Sequence, residues 1–167
     1  MNITVKKASG EDAAAMLEYL KQIGGETENL TFGAEGLLLT PEDEADFIAH
    51  AANSRDEVML VAKNGDRIVG DASLTRLPRR MKHRGDLGIA VIKEYWNKGV
   101  GSMLLSSVIE FARENRFKII DLQVRSDNAA AIHLYEKFGF ERIGTHPSFF
   151  NIDGDDVPFD YMYLRLK

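Results

Sequence analysis

The chain has 167 residues, of which 44% are hydrophobic and 28% are charged, and its formal net charge is −5. This composition is typical of one globular domain, expected to span residues 1–167. Because there is no cysteine, disulfides, thiolate metal sites and a cysteine nucleophile are excluded. The acidic balance argues against a nucleic-acid partner. The sequence contains no membrane-spanning run and no signal-peptide pattern, which predicts a cytoplasmic protein without a membrane partner.

The first elements are a strand and a helix. The strand is expected at residues 3–8. Ser9 and Asp12 have the spacing of a capping box at the start of the helix, which should end at Gly24-Gly25. The buried face of this helix is expected to contain Ala13, Met16, Leu17 and Leu20.

The stretch from residue 24 to residue 39 has no regular period and contains three glutamates beside Phe32. It is either a binding segment or a solvated surface loop. A second helix is expected to begin at Thr40-Pro41, where a capping residue and a proline are followed by two acids. Its core face is expected to contain Phe47, Ile48, Ala51 and Ala52.

Three strands are predicted next. Residues 58–62 and the alternating apolar positions after residue 67 form a hairpin around Asn64-Gly65. Residues 76–84 carry five Lys or Arg, and they form either a solvated hairpin tip or a contact for a phosphate or an acidic partner. Residues 87–95 are apolar and rich in β-formers, which predicts a central strand buried on both faces.

A turn with two glycines follows this central strand. Residues 97–102 read Asn-Lys-Gly-Val-Gly-Ser and lie directly before a helix. A helix start leaves backbone N–H groups unpaired, and glycines let an anion approach them. The turn is therefore either a phosphate site or an ordinary strand–helix connection. A P-loop is absent, and a dinucleotide fingerprint is excluded because Leu104 stands where its third glycine would be. The apolar face of the helix comprises Leu104, Leu105, Val108, Ile109 and Ala112.

The last third of the chain predicts one more crossover unit. A strand at residues 118–124 should run parallel to the central strand, because a helix connects the two. Ser126 or Asp127 is expected to cap the next helix, which ends at Gly139. Two closing strands are expected at residues 140–145 and 156–166. The order βαα-βββ-α-β-α-ββ predicts a single α/β domain with a mixed sheet.

Common signatures of metal and serine chemistry are missing. The four histidines have no metal-ligand spacing, and there is no G-x-S-x-G elbow. Two stretches remain as carriers of chemistry. They are the turn at residues 97–102 and the sequence from Asn128 to Phe140, NAAAIHLYEKFGF.

These two stretches and the order of elements resemble the GNAT superfamily of acyl-CoA-dependent N-acetyltransferases. The family's first motif is Q/R-x-x-G-x-G/A between a strand and a helix, and Trp96 stands here in place of the usual Gln or Arg. Its second motif, N-x-x-A-x-x-L-Y-x-K-x-G-F, is matched at every specified position from Asn128 to Phe140. The resemblance implies a GNAT-like mixed sheet of about seven strands, flanked by about four helices, with two splayed parallel central strands.

The resemblance also implies a cosubstrate, acetyl-CoA or coenzyme A, and no metal. The pyrophosphate would bind at the first motif, and the pantetheine arm would lie along the central strand. A backbone N–H of that strand would polarise the thioester carbonyl. The expected contacts are Ile89, Val91, Trp96, Asn97, Lys98, Gly99, Val100, Gly101, Ser102 and Asn128.

Acetyl transfer would proceed by direct attack of a primary amine in a ternary complex, which needs no covalent intermediate. Tyr135 is either a core aromatic or, as the resemblance implies, the acid that protonates the leaving thiolate. Asp86 is the expected general base, with Asp121 and Glu94 as other candidates. The acceptor would be a small molecule, a polyamine or a peptide N-terminus, and a homodimer is a possible assembly. A non-catalytic acyl-CoA-binding module on the same fold is the alternative.

Overall fold

A computed structural model gives the fold of all residues from 1 to 167. The order of helices and strands along the chain is the one that the sequence predicts. The strands are β1 (Ile3–Lys7), β2 (Glu57–Asn64), β3 (Arg67–Arg76), β4 (Arg84–Val91), β5 (Ile119–Arg125), β6 (Glu141–Ile152) and β7 (Asp155–Arg165). The helices are α1 (Ala13–Glu26), α2 (Pro41–Ala52), α3 (Val100–Glu114) and α4 (Ala129–Lys137). None of these helices has the length and apolar character that crossing a membrane requires.

The strands form one sheet in the order β1-β2-β3-β4-β5-β7-β6. Only β4 and β5 are parallel, and they pair over no more than residues 84–86 and 119–121. Arg84 and Asp121 form an ion pair of 2.6 Å at this short contact. Beyond it, β4 has no strand partner on the side of β5. The predicted mixed sheet with two splayed parallel central strands is confirmed.

Helices cover both faces of the sheet near β3. A side chain at Gly70 would lie 3.1 Å from Leu104 of α3, whereas the next residue, Asp71, contacts Tyr19 of α1. Because successive side chains of a strand point to opposite faces, α1 and α3 lie on opposite sides. The core therefore has two layers. All five apolar positions predicted for α3 are buried.

Helix α1 is longer than predicted. It continues through Gly24-Gly25 to Glu26. Gly24 does not end the helix but allows another segment to pack closely against it. The chain that follows folds back onto the helix, and a Cβ at Gly24 would lie 2.0 Å from the carbonyl oxygen of Gly33. Only a residue without a side chain permits this approach. Residues 27–40 contain no helix or strand.

The inward face of α2 is rotated from the predicted one. Ile48 and Ala51 are buried as expected, but Phe47 is 60% exposed. Glu44, one turn before Ile48, takes the remaining inward position and is buried. Glu44, Ile48 and Ala51 thus define the inward face of α2, and Phe47 lies beside this face on the side of the solvent.

The hairpin between β2 and β3 turns one residue later than predicted. Asn64 pairs with Arg67, so Gly65 and Asp66 form the two-residue loop. Gly65 has a φ of +62°, the conformation that such a turn requires and that glycine adopts without strain.

The central strand also differs from its prediction. It runs over Arg84–Val91, and a short 3-10 turn occupies Lys93–Tyr95. It is not buried on both faces, since Asp86 and Gly88 are exposed. Beyond Asp86 the strand also loses its neighbour on the side of β5.

Candidate active site

A cleft of about 540 Å³ opens where β4 and β5 separate. It is bounded by the end of β4, the turn before α3, the end of β5, and α4. Most of the side chains predicted for the site meet here, although they come from distant parts of the chain. The cleft is lined by Ile89, Val91, Trp96, Asn97, Gly99, Val100, Gly101, Ser102, Asn128 and Tyr135. Asp86 and Lys98 do not line it.

The turn before α3 has the unpaired backbone that an anion requires. None of the amides from residue 97 to residue 102 donates a hydrogen bond within the protein. The first hydrogen bond of the helix runs from the amide of Met103 to the carbonyl of Gly99, at 3.1 Å. Gly99 precedes the helix and has a φ of +82°. This left-handed conformation favours glycine. This cluster of free N–H groups at the positive end of α3 is suited to bind a phosphate.

The end of β4 offers backbone groups on its open edge. The amide of Ile92 donates to Val69 of β3 at 3.0 Å. Because backbone groups alternate in direction along a strand, those of Ile89 and Val91 point away from β3 and toward the cleft. The indole N–H of Trp96 donates to the carbonyl of Val91 at 2.7 Å. An extended ligand arm can therefore pair with this edge as an added strand does.

Helix α4 begins with Asn128, which caps it. The Asn128 side-chain oxygen accepts a hydrogen bond from the Ala131 amide at 3.2 Å. The predicted caps are wrong, because Ser126 donates to Asp160 at 2.7 Å and Asp127 pairs with Arg125 at 2.8 Å. Since capping uses only the oxygen of the Asn128 amide, its NH₂ group remains available at the cleft.

Tyr135 has a buried ring and a hydroxyl without a protein partner. The residue is 6% exposed, and its ring centroid lies 5.6 Å from that of Phe140. The hydroxyl makes no hydrogen bond within the protein, and no fully buried polar side-chain atom is unpaired, so the hydroxyl is reached from the cleft that the residue lines. Burial raises the pKa of Tyr135 above its usual value, which keeps the phenol protonated.

The candidate base Asp86 lies outside the cleft and is linked to it. The side-chain NH₂ of Gln123, a lining residue, donates to Asp86 at 3.2 Å. Neighbouring protein atoms exclude part of the water around Asp86 and raise its pKa above the usual value, while this hydrogen bond opposes the increase. The other two candidates are held in ion pairs, Asp121 with Arg84 at 2.6 Å and Glu94 with Arg67 at 2.7 Å.

Several lining residues were not predicted from the sequence. His133 and Lys137 line the cleft and lie one turn apart on α4, within the second motif, so helical spacing could have placed these two on one face of the helix. Arg125 is the last residue of β5 and Phe159 lies within β7, and no local pattern marks them. Lys98 does not line the cleft, and its ammonium group lies 5.2 Å from the centre of the Tyr95 ring.

The close contact at Gly24 gives a test of the segment after α1, which contributes Thr27, Asn29 and Leu30 to the cleft. Gly24→Ala should displace this segment, because the added Cβ would meet a backbone oxygen. We expect the free energy of unfolding to fall by about 1–3 kcal/mol. Chemical denaturation measures it.

Gly25→Ala is the matched control. It brings the same gain in helix propensity, but its Cβ would meet only the Ala34 Cβ at 3.3 Å. Equal stability of the two variants would contradict the view that Gly24 is required for docking of the segment.

Comparison with known proteins agrees with this geometry. The sequence model of the Acetyltransferase (GNAT) family matches residues 17–140. The chain is 34% identical over 97 residues to the N-alpha-acetyltransferase RimI of Mycobacterium tuberculosis, covering 58% of this chain and 60% of that protein. It is 38% identical over 112 residues to the L-amino acid N-acetyltransferase AaaT of Escherichia coli, covering 65% of this chain and 67% of that protein.

A solved structure shares the whole fold. The acetyltransferase of the GNAT family from Streptococcus pneumoniae superimposes with a TM-score of 0.95 at 32% identity, covering 99% of this chain and 100% of that one. The chain therefore belongs to the acetyltransferase (GNAT) family, as its two motifs predict. The matches to the two curated relatives span about three fifths and two thirds of their lengths.

Proposed function

We propose that this chain is an acetyl-CoA-dependent N-acetyltransferase that transfers the acetyl group to a primary amine by direct attack in a ternary complex. One observation carries the proposal. A single cleft combines the free amides before α3, the open edge of β4 and the partnerless hydroxyl of Tyr135. These groups match the pyrophosphate, the pantetheine arm and the sulfur of one ligand.

The proposed binding mode uses mainly backbone. The pyrophosphate accepts hydrogen bonds from the amides of residues 97–102, and the pantetheine amides pair with Ile89 and Val91. The NH₂ group of Asn128 donates to the same ligand. Lys137 on α4 adds a positive charge to the wall of the cleft. The backbone carries most of these contacts, so the replacement of the usual Gln or Arg by Trp96 is tolerated.

The proposed reaction moves protons at both the amine nitrogen and the sulfur. The amine nitrogen forms a bond to the acetyl carbon, and the bond from carbon to sulfur breaks. An alkylamine with a pKa near about 10 must first lose a proton, which passes to Asp86 through water near Gln123. The departing thiolate takes a proton from Tyr135. The nitrogen gives up a second proton as the amide forms, and this proton restores the tyrosine. No covalent acyl-enzyme forms.

The role of Asp86 predicts a pH dependence. A base works only when ionised, so the rate should fall as the pH drops through the raised pKa of this carboxyl. Asp86→Asn should lower kcat by about 10- to 100-fold, because water or buffer replaces the base only in part. The fall of the rate at low pH should disappear in this variant. A pH–rate profile tests it.

Asp155→Asn, at an exposed position of the β6–β7 hairpin, is the control for loss of one negative charge. It should leave both kcat and the fall of the rate at low pH unchanged. If the rate of Asp86→Asn still falls at low pH, the base is another group.

The acceptor class is tested with a panel of amines. The names of the relatives indicate two kinds of acceptor, an α-amino group for RimI and L-amino acids for AaaT. The panel therefore contains a peptide with a free N-terminus, L-amino acids and a polyamine. Release of the CoA thiol is measured with each acceptor. Turnover with one class would support the proposal, whereas acetyl-CoA binding without turnover on any amine would favour the non-catalytic module. The cytoplasmic location and a homodimer stay predictions.

A further inference from the structure

Three polar groups, from α1, β3 and β4, meet behind the open end of β4. Tyr19 of α1 is 3% exposed. Its hydroxyl oxygen lies 2.7 Å from Oδ1 of Asp71 and 3.0 Å from the carbonyl oxygen of Ala90. Asp71 on β3 is the direct cross-strand neighbour of Ala90 on β4. A side chain of α1 thus reaches the backbone of the strand that borders the cleft.

The hydrogen bonds among these three groups depend on whether Asp71 is protonated. A tyrosine hydroxyl has one proton and can donate to only one acceptor at a time. If Asp71 is ionised, Tyr19 donates to it and the Ala90 carbonyl loses that donor. If Asp71 is protonated, its O–H donates to Tyr19, and Tyr19 donates to Ala90. Only the protonated form makes both short contacts hydrogen bonds.

The surroundings favour the protonated form of Asp71. Removal from water raises the pKa of Asp71 to about 6; the hydrogen bond from Tyr19 opposes this, and the carboxylate of Glu44 on α2 adds to it. No cation forms an ion pair with Asp71. Burial and the charge of Asp71 raise the pKa of Tyr19, with a further contribution from Glu26 at the end of α1, so the phenol keeps its proton. Glu44 and Glu26 are the ionisable groups outside the pair that act on it.

The carbonyl of Ala90 and the amide of Val91 belong to one peptide unit. In a trans peptide these two groups point in opposite directions. The carbonyl therefore faces β3 and Tyr19, while the N–H of Val91 faces the open edge of the cleft. A hydrogen bond donated to the carbonyl fixes the peptide plane and strengthens the N–H as a donor.

We propose that Tyr19 and Asp71 form a positioning pair that holds the peptide between Ala90 and Val91 for the acyl-CoA arm, and that the pair acts when Asp71 carries a proton. The proposal rests on the proposed course of that arm along β4. Binding of acetyl-CoA then favours protonated Asp71, and linkage requires the affinity to fall as the pH rises through the titration of this carboxyl.

Two variants separate this pair from an ordinary structural contact. Tyr19→Phe removes the donor to Ala90 at every pH. Asp71→Asn replaces the carboxyl by an amide whose NH₂ group donates to Tyr19 as the protonated acid does, but at every pH. Trp96 is the only tryptophan and lines the cleft, so its fluorescence reports the acetyl-CoA dissociation constant in each variant.

The expected results differ in their pH dependence. One lost hydrogen bond corresponds to about 3- to 10-fold in affinity. Tyr19→Phe should bind acetyl-CoA about 3- to 10-fold more weakly than the unchanged protein at about pH 5.5, and equally at about pH 8. Asp71→Asn should bind equally at about pH 5.5 and about 3- to 10-fold more tightly at about pH 8. Contributions of His133 and Lys137 are common to all variants and cancel in these ratios.

One control variant is titrated in the same way, and three outcomes would contradict either the positioning pair or the proposed function. Tyr163→Phe removes an exposed hydroxyl that donates to Glu141 at 2.8 Å, and it should change nothing. Ratios that do not vary with pH would reduce the pair to a structural contact and overturn the proposal. Loss of turnover with unchanged binding in Asp71→Asn would make Asp71 the general base and overturn it as well. Failure of the unchanged protein to bind acetyl-CoA would instead refute the proposed function.

Discussion

Tyr135→Phe is expected to lower kcat by roughly 10²–10⁴-fold, the range for loss of a general acid. The dissociation constant of acetyl-CoA should change little, because the ring and its packing against Phe140 remain. The hydroxyl makes no hydrogen bond within the protein, so stability should also be nearly unchanged. Steady-state kinetics with a verified acceptor and thermal unfolding measure the two effects.

The unpaired hydroxyl seen in the structure makes stability a second measurement that distinguishes the two roles of Tyr135. A core tyrosine with a satisfied hydroxyl would lose about 0.5–1.5 kcal/mol of stability on conversion to phenylalanine and keep its turnover. Tyr163→Phe provides a reference for the loss of a hydrogen-bonded hydroxyl outside the cleft, since Tyr163 donates to Glu141. Full activity of Tyr135→Phe would refute the acid role. A tenfold loss would indicate that solvent supplies most of the proton.

Gly101→Val is expected to abolish acetyl-CoA binding while the protein stays folded. A Cβ at Gly101 would already lie 3.1 Å from Leu134 of α4, and valine adds two methyl groups beside the free amides. These groups obstruct a phosphate at the start of α3. Titration of Trp96 fluorescence and ligand-induced thermal stabilisation both measure the loss.

Gly101→Ala gives the graded control. Its single methyl group requires Leu134 to move by only a few tenths of an ångström, so binding should weaken without disappearing. Circular dichroism verifies that both variants are folded. If folded Gly101→Val binds acetyl-CoA with unchanged affinity, the pyrophosphate site lies elsewhere.

The sequence by itself determined the order of elements and the two motifs. Local signals sufficed for this, because periodicity, capping and glycine positions act over a few residues. The amphipathic face of α3, the start of α2 at Thr40 and the end of α4 at Gly139 were all predicted from such signals. The free amides of residues 97–102 also follow from the position of a glycine-rich turn before a helix.

Sequence reasoning failed where a distant backbone decides a residue's role. Gly24 looked like a helix terminator, but it lies inside α1 because Gly33 packs against it. Phe47 looked like a core residue, but the outward rotation of α2 exposes it. Ser126 looked like a helix cap, but its hydroxyl is bound to Asp160 of β7. In each case a contact across the chain overrides a local preference.

Only the tertiary structure decided how the site is assembled. Nothing local indicates that β4 and β5 part after three residues, that Arg125 and Phe159 reach the cleft, or that Tyr19 contacts the backbone at Ala90. These features depend on pairing register and on the packing of helices against two faces of one sheet. Local sequence specifies which groups are present; their distances and directions come from strand register and long-range packing.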